Sequence, residues 1–83
     1  MLEYKFDLQF LLEGQLLDED YVGERIQTEV PGDCLLCVGD DALLKIHYHS
    51  NAPWKVLELC AGMGELYDIV VENMERQAQG LKG

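Results

Sequence analysis

Eighty-three residues suit one domain with a single two-layer core. A composition 48% hydrophobic and 27% charged is that of a folded globular chain and excludes disorder and collagen-like structure. Sixteen acidic residues against six basic ones, a net charge of −10, disfavour nucleic acid and anionic membrane surfaces as partners. The acids are spread along the chain and read as a solubilising shell. The longest apolar run, Cys34-Leu35-Leu36-Cys37-Val38, is far short of the roughly 20 residues of a membrane span. Met1-Leu2-Glu3-Tyr4 has neither the basic start nor the apolar stretch of a signal peptide. A cytoplasmic protein with reduced cysteines is therefore expected, its three thiols packed in the core rather than paired.

From Tyr4 to Leu12 apolar residues alternate, with Tyr4, Phe6, Leu8, Phe10 and Leu12 on one face and Lys5, Asp7, Gln9 and Leu11 on the other. That is a half-buried strand. Asp18-Glu19-Asp20 suits a helix start, where carboxylates accept free backbone N–H groups and meet the positive end of the dipole. Leu17 or Tyr21, then Val22, Ile26 and Val30, mark the buried face of that helix, and Pro31-Gly32 ends it. Asp33 to Val38 is apolar at both parities and predicts a strand covered on both sides. Gly39-Asp40-Asp41 predicts a hairpin turn into a strand over 42–49. There Leu44, Ile46 and Tyr48 point inward, and Leu43, Lys45, His47 and His49 outward.

A second helix opens at Asn51-Ala52-Pro53, with Asn51 its expected cap and Pro53 in the first turn. Its buried stripe is Val56, Cys60 and Met63 beside Leu57 and Ala61. Trp54 lies off that stripe, where it either covers the helix end or anchors a contact. A last strand over 65–73 is expected to turn Tyr67, Ile69 and Val71 to the core. Residues 1–74 form the domain in this reading, and 75–83 a polar tail.

The order β-α-β-β-α-β is the split βαβ, ferredoxin-like arrangement of an α+β protein. It expects two helices on one face of a four-stranded antiparallel sheet, with the first and third strands adjacent at its centre. The open face then carries a mixture of polar and apolar residues suited to meeting another subunit. His47 and His49, at i and i+2 of one strand, share that face, so both imidazoles can grip one metal ion. The first strand sets Asp7 beside them, completing a two-histidine, one-carboxylate set. The same pattern also describes two histidines on a solvated strand.

Other candidates are weaker. Cys34 and Cys37 would point to opposite faces of a strand and cannot readily chelate one ion or form a local disulfide. Asp40-Asp41 and Asp18-Glu19-Asp20 lack the spacing of a calcium loop and read as turn and cap. No glycine-rich phosphate loop occurs, Arg25 and Arg76 are badly placed for an acylphosphatase-type anion loop, and no basic, aromatic sheet face invites RNA.

The stretch Gly32-Asp33-Cys34-Leu35-Leu36-Cys37-Val38-Gly39-Asp40-Asp41 through Lys45-Ile46-His47-Tyr48-His49-Ser50-Asn51-Ala52-Pro53 resembles the middle domain of dihydroxyacetone-kinase-like proteins typified by the bacterial fatty acid kinase A protein. Phe10-Leu11-Leu12-Glu13-Gly14, Gly64-Glu65-Leu66-Tyr67-Asp68-Ile69 and Glu72-Asn73-Met74 fit the same pattern, and the His-x-His-x-Asn-x-Pro run is its most specific part. The resemblance implies a module that does not bind nucleotide, lying between an ATP-binding kinase domain and a domain like the fatty-acid-binding DegV proteins. It also implies a metal, commonly zinc, held by His47, His49 and a first-strand cysteine, where this chain has Asp7. A carboxylate there would tolerate divalent ions other than zinc.

These readings together expect a non-catalytic assembly or regulatory module that forms a homodimer through its open sheet face and binds zinc or another divalent metal at Asp7, His47 and His49. With neither of the flanking domains in these 83 residues, the chain is not expected to phosphorylate a fatty acid by itself. Two alternatives stand beside this. One is a small metal-dependent hydrolase that activates water on the same triad. The other is a subunit working in trans with a separate kinase or DegV-like fatty-acid-binding partner.

Overall fold

A computed structural model describes residues 2–83. The elements run β1 (Phe6–Glu13), α1 (Glu19–Glu29), β2 (Gly32–Gly39), β3 (Leu43–Ser50), α2 (Pro53–Ala61), β4 (Glu65–Asn73) and α3 (Met74–Ala78). The strands form one four-stranded sheet in the order β2-β3-β1-β4, every neighbouring pair antiparallel. This is the ferredoxin-like order expected from the sequence. The first turn of α3 is tied back to β1 by Met74 N–H donating to the Lys5 carbonyl at 2.8 Å.

Strand alternation and helical spacing meet in one core. Leu8, Phe10 and Leu12 of β1 and Leu44, Ile46 and Tyr48 of β3 face Val22, Ile26 and Val30 of the α1 region and Val56 and Cys60 of α2. All of these are buried, as period-2 strands under period-3.6 helices require. Asp18 caps α1, its Oδ1 accepting from the backbone N–H groups of Asp20 and Tyr21. Gly23 lets α1 lie close on β2, since a Cβ there would come within 3.3 Å of Leu35 Cδ2. Asp40 folds the β2–β3 turn by accepting from Ala42 and Leu43 N–H.

Several expectations need correction. β2 is an edge strand rather than one covered on both sides, and Leu36 and Val38 are exposed on its outer face. Cys34 is exposed instead of packed in the core, whereas Cys37 packs against the core and Cys60 lies within it. Cys34 has the parity of the exposed Leu36 and Val38, and it lies in a bulge where the four residues Asp33 to Leu36 oppose only the three from His49 to His47, with Cys34 at φ 56°. β4 carries a second irregularity, Val70 pairing with Gln9 but Tyr67 with Leu11, with Asp68 at φ 52°. The inserted residue reverses the strand's parity. Tyr67 therefore shares the outer face with Leu11 rather than turning inward, whereas Val71 keeps the inward parity of its partner Leu8; on this edge strand Ile69 and Val71 are nevertheless exposed. Asn51 does not cap α2. Ala52 holds that position without a side-chain bond, and the Asn51 amide instead accepts from Lys5 N–H and donates to the Glu3 carbonyl. Ala61 is exposed, outside the buried stripe.

Candidate metal centre

The open sheet face is built in rows across the strands, because directly paired residues project the same way. One row runs Glu72, Asp7, His49, Asp33, and the next runs Val70, Gln9, His47, Leu36. Asp7 is thus directly opposite His49 and diagonal to His47. Both centre strands are fixed by the core beneath them, where Leu8 pairs with Tyr48 and Phe10 with Ile46. The alternation that buries those residues is what turns Asp7, His47 and His49 outward together.

Ligand-type atoms of Asp7, His47 and His49 all lie within 4.8 Å of one another. His47 Nε2 is 2.6 Å from Asp7 Oδ1, and His49 Nε2 is 3.8 Å from the same oxygen. The imidazole rings stand edge to face, 5.4 Å apart at 62°. Asp7 Oδ1 and His47 Nε2 are both buried polar atoms, and beyond their contact with each other neither has a hydrogen-bond partner. Such atoms are costly unless something satisfies them. A divalent cation does so chemically, taking imidazole nitrogen and carboxylate oxygen as ligands. The residues present therefore fit a zinc-class ion.

The surroundings are anionic. Asp33 and Glu72 extend the Asp7–His49 row on either side, and the Glu72 carboxylate accepts from Gln77 Nε2 at 2.9 Å. Lys45 lies in the third row, opposite Leu11. Around these polar groups lie exposed apolar side chains, Leu36, Val38, Leu43, Tyr67 and Val70. Asp33 is the site neighbour that sequence reading missed. Its Oδ1 lies 3.4 Å from His49 Nδ1. Counting back from the Gly39–Leu44 pair sets Cys34 opposite His49, and only the bulge, which the sequence does not signal, puts Asp33 there.

The three thiols divide by environment. Burial pushes Cys37 up to about 11, with the Glu19 and Asp20 charges adding to it. Burial likewise pushes Cys60 up to about 12. Both are inert packing groups at neutral pH. The exposed Cys34 is raised chiefly by the neighbouring Asp33 charge.

Residues 3–81 match the FakA-like family, the middle domain of fatty acid kinase A-like proteins. The chain belongs to that family. Among individual proteins, this middle domain is 44% identical over 46 residues to protein YloV of Bacillus subtilis, a match covering 55% of this chain and 8% of that protein. It is 41% identical over 46 residues to uncharacterised proteins of Staphylococcus haemolyticus and of Staphylococcus aureus, again 55% of this chain and 8% of theirs. The matched middle-domain segment is thus a small part of much longer relatives. No helix of the described residues is long and apolar enough to cross a membrane.

Proposed function

We propose that this middle domain is a non-catalytic assembly and regulatory unit that holds a divalent cation between β1 and β3 and pairs with a second copy through its open sheet face. It works with a kinase or fatty-acid-binding partner of the kind its family's name suggests, and it acts in the cytoplasm. The observation that carries the metal reading is the convergence of ligand atoms of Asp7, His47 and His49 within 4.8 Å of one another, with Asp7 Oδ1 and His47 Nε2 buried and lacking partners beyond each other. In this role Asp7, His47 and His49 hold the ion, and the ion supplies a fixed positive charge to an otherwise anionic face. The sheet beneath keeps the three ligands in place whether or not a partner is bound. The dimer reading is supported by the apolar residues ringing that face, Leu36, Val38, Leu43, Tyr67 and Val70, which a partner would cover.

Elemental analysis of protein purified without a histidine tag tests the metal. The unmodified chain is expected to retain about one equivalent more than an Asp7→Ala/His47→Ala variant, following the loss of two of three ligands. Equal metal in the two would refute the site. Sedimentation tests the pairing: a strict monomer at high micromolar concentration removes it, whereas a dimer broken by Val70→Lys supports it.

A further inference from the structure

His49 has two ring nitrogens, and the centre above uses only one. Its Nε2 faces Asp7, while its Nδ1 faces the other way, 3.4 Å from Asp33 Oδ1. On that second side Asp33, Cys34 and His49 offer one ligand atom each, all within 4.8 Å of one another. Zinc bonds of about 2.0–2.2 Å to nitrogen and oxygen, at tetrahedral angles, separate two such ligands by roughly 3.4 Å. The Asp33–His49 separation is that of a tetrahedral edge. The β2 bulge brings Asp33 opposite His49 on the outer face, next to Cys34, whose backbone sits at φ 56° and whose side chain is exposed.

We propose that Asp33, Cys34 and the Nδ1 of His49 form a second cation site, selective for thiolate-preferring divalent ions such as zinc, cobalt or cadmium, back to back with the first across the His49 ring. A thiolate, an imidazole and a carboxylate together suit these ions and disfavour magnesium and calcium, which take oxygen ligands. Water fills the fourth position. Binding displaces the Cys34 proton, because only the thiolate is a ligand. When both sites are filled, the shared ring also gives up its remaining N–H proton and bridges the two ions as an imidazolate. The second site needs His49 but neither Asp7 nor His47, so its fate is separable from that of the first.

Cobalt(II) titration of the reduced, metal-free chain provides the test, because thiolate ligation produces a near-ultraviolet charge-transfer band that nitrogen and oxygen ligands do not. The band is expected in the unmodified chain and in Asp7→Ala/His47→Ala, and is expected to vanish in Cys34→Ser. Serine occupies the same backbone conformation as cysteine, and circular dichroism checks that the fold is kept. Asp33→Asn is expected to weaken the cobalt affinity of the band by roughly tenfold or more. Two outcomes overturn the proposal: no thiolate band in the unmodified chain at millimolar cobalt, or a band that survives Cys34→Ser and so comes from another thiol.

Discussion

Tyr48 joins the two layers through one buried hydrogen bond, and removing its hydroxyl isolates that bond. The phenol oxygen donates to the Val30 carbonyl at 2.7 Å, where α1 ends. Tyr48 is 1% exposed and Val30 2% exposed, so water does not compete there. Tyr48→Phe keeps the ring, creates almost no cavity, and leaves the carbonyl facing apolar neighbours. A buried acceptor deprived of its donor costs about 1–3 kcal/mol. For a domain of this size each kcal/mol lowers the melting midpoint by about 4–8 °C. Urea unfolding at neutral pH, followed by circular dichroism, measures the loss, and an unchanged m-value shows that the denatured state is unaffected. Tyr67→Phe is the control. That hydroxyl belongs to a side chain 39% exposed on the opposite sheet face, and its removal is expected to change stability by less than about 0.5 kcal/mol. Equal effects of the two substitutions, or a Tyr48→Phe variant as stable as the parent, would refute the role given to the bond.

Asp18→Ala removes the acceptor that two N-terminal N–H groups of α1 share, and is expected to destabilise the fold by about 1 kcal/mol, read as a lower urea midpoint. Alkaline titration should also destabilise it. Cys37, Cys60 and Tyr48 all have folded values raised above their ordinary ones, by burial first of all. The unfolded chain therefore releases these protons earlier, so the contribution is complete below about pH 9 and is lost as pH rises through about 11 to 12 for the thiols. Urea midpoints between pH 8 and 11 check this, and a Cys37→Ala/Cys60→Ala variant should show a shallower decline.

Sequence reading located what one-sided burial dictates. β1 and β3 alternate strictly because each has helices on one face only, and the same parity set Asp7, His47 and His49 outward. It failed where an extra residue interrupts the period. The bulges at Cys34 and Asp68 leave no mark in composition, yet they brought Asp33 opposite His49 and Tyr67 to the open face. The β2 segment misled in another way. An edge strand that exposes Leu36 and Val38 has the same apolar pattern as a strand buried on both sides, and only sheet order separates them. Asn51 carried a capping residue's chemistry, but a longer-range use, clamping the backbone at Glu3 and Lys5, took its side chain.

The tie between Lys5 and Met74 has a mechanical consequence. The polypeptide reaches β1 and departs from β4 at the same margin of the sheet, with Asn73 N–H also meeting the Gly83 carbonyl. A fold threaded this way resembles a bead hung from a closed loop rather than a link in a rod. Pulling on both ends would load that short seam first and leave the β1–β3 junction, with its imidazoles, outside the line of force.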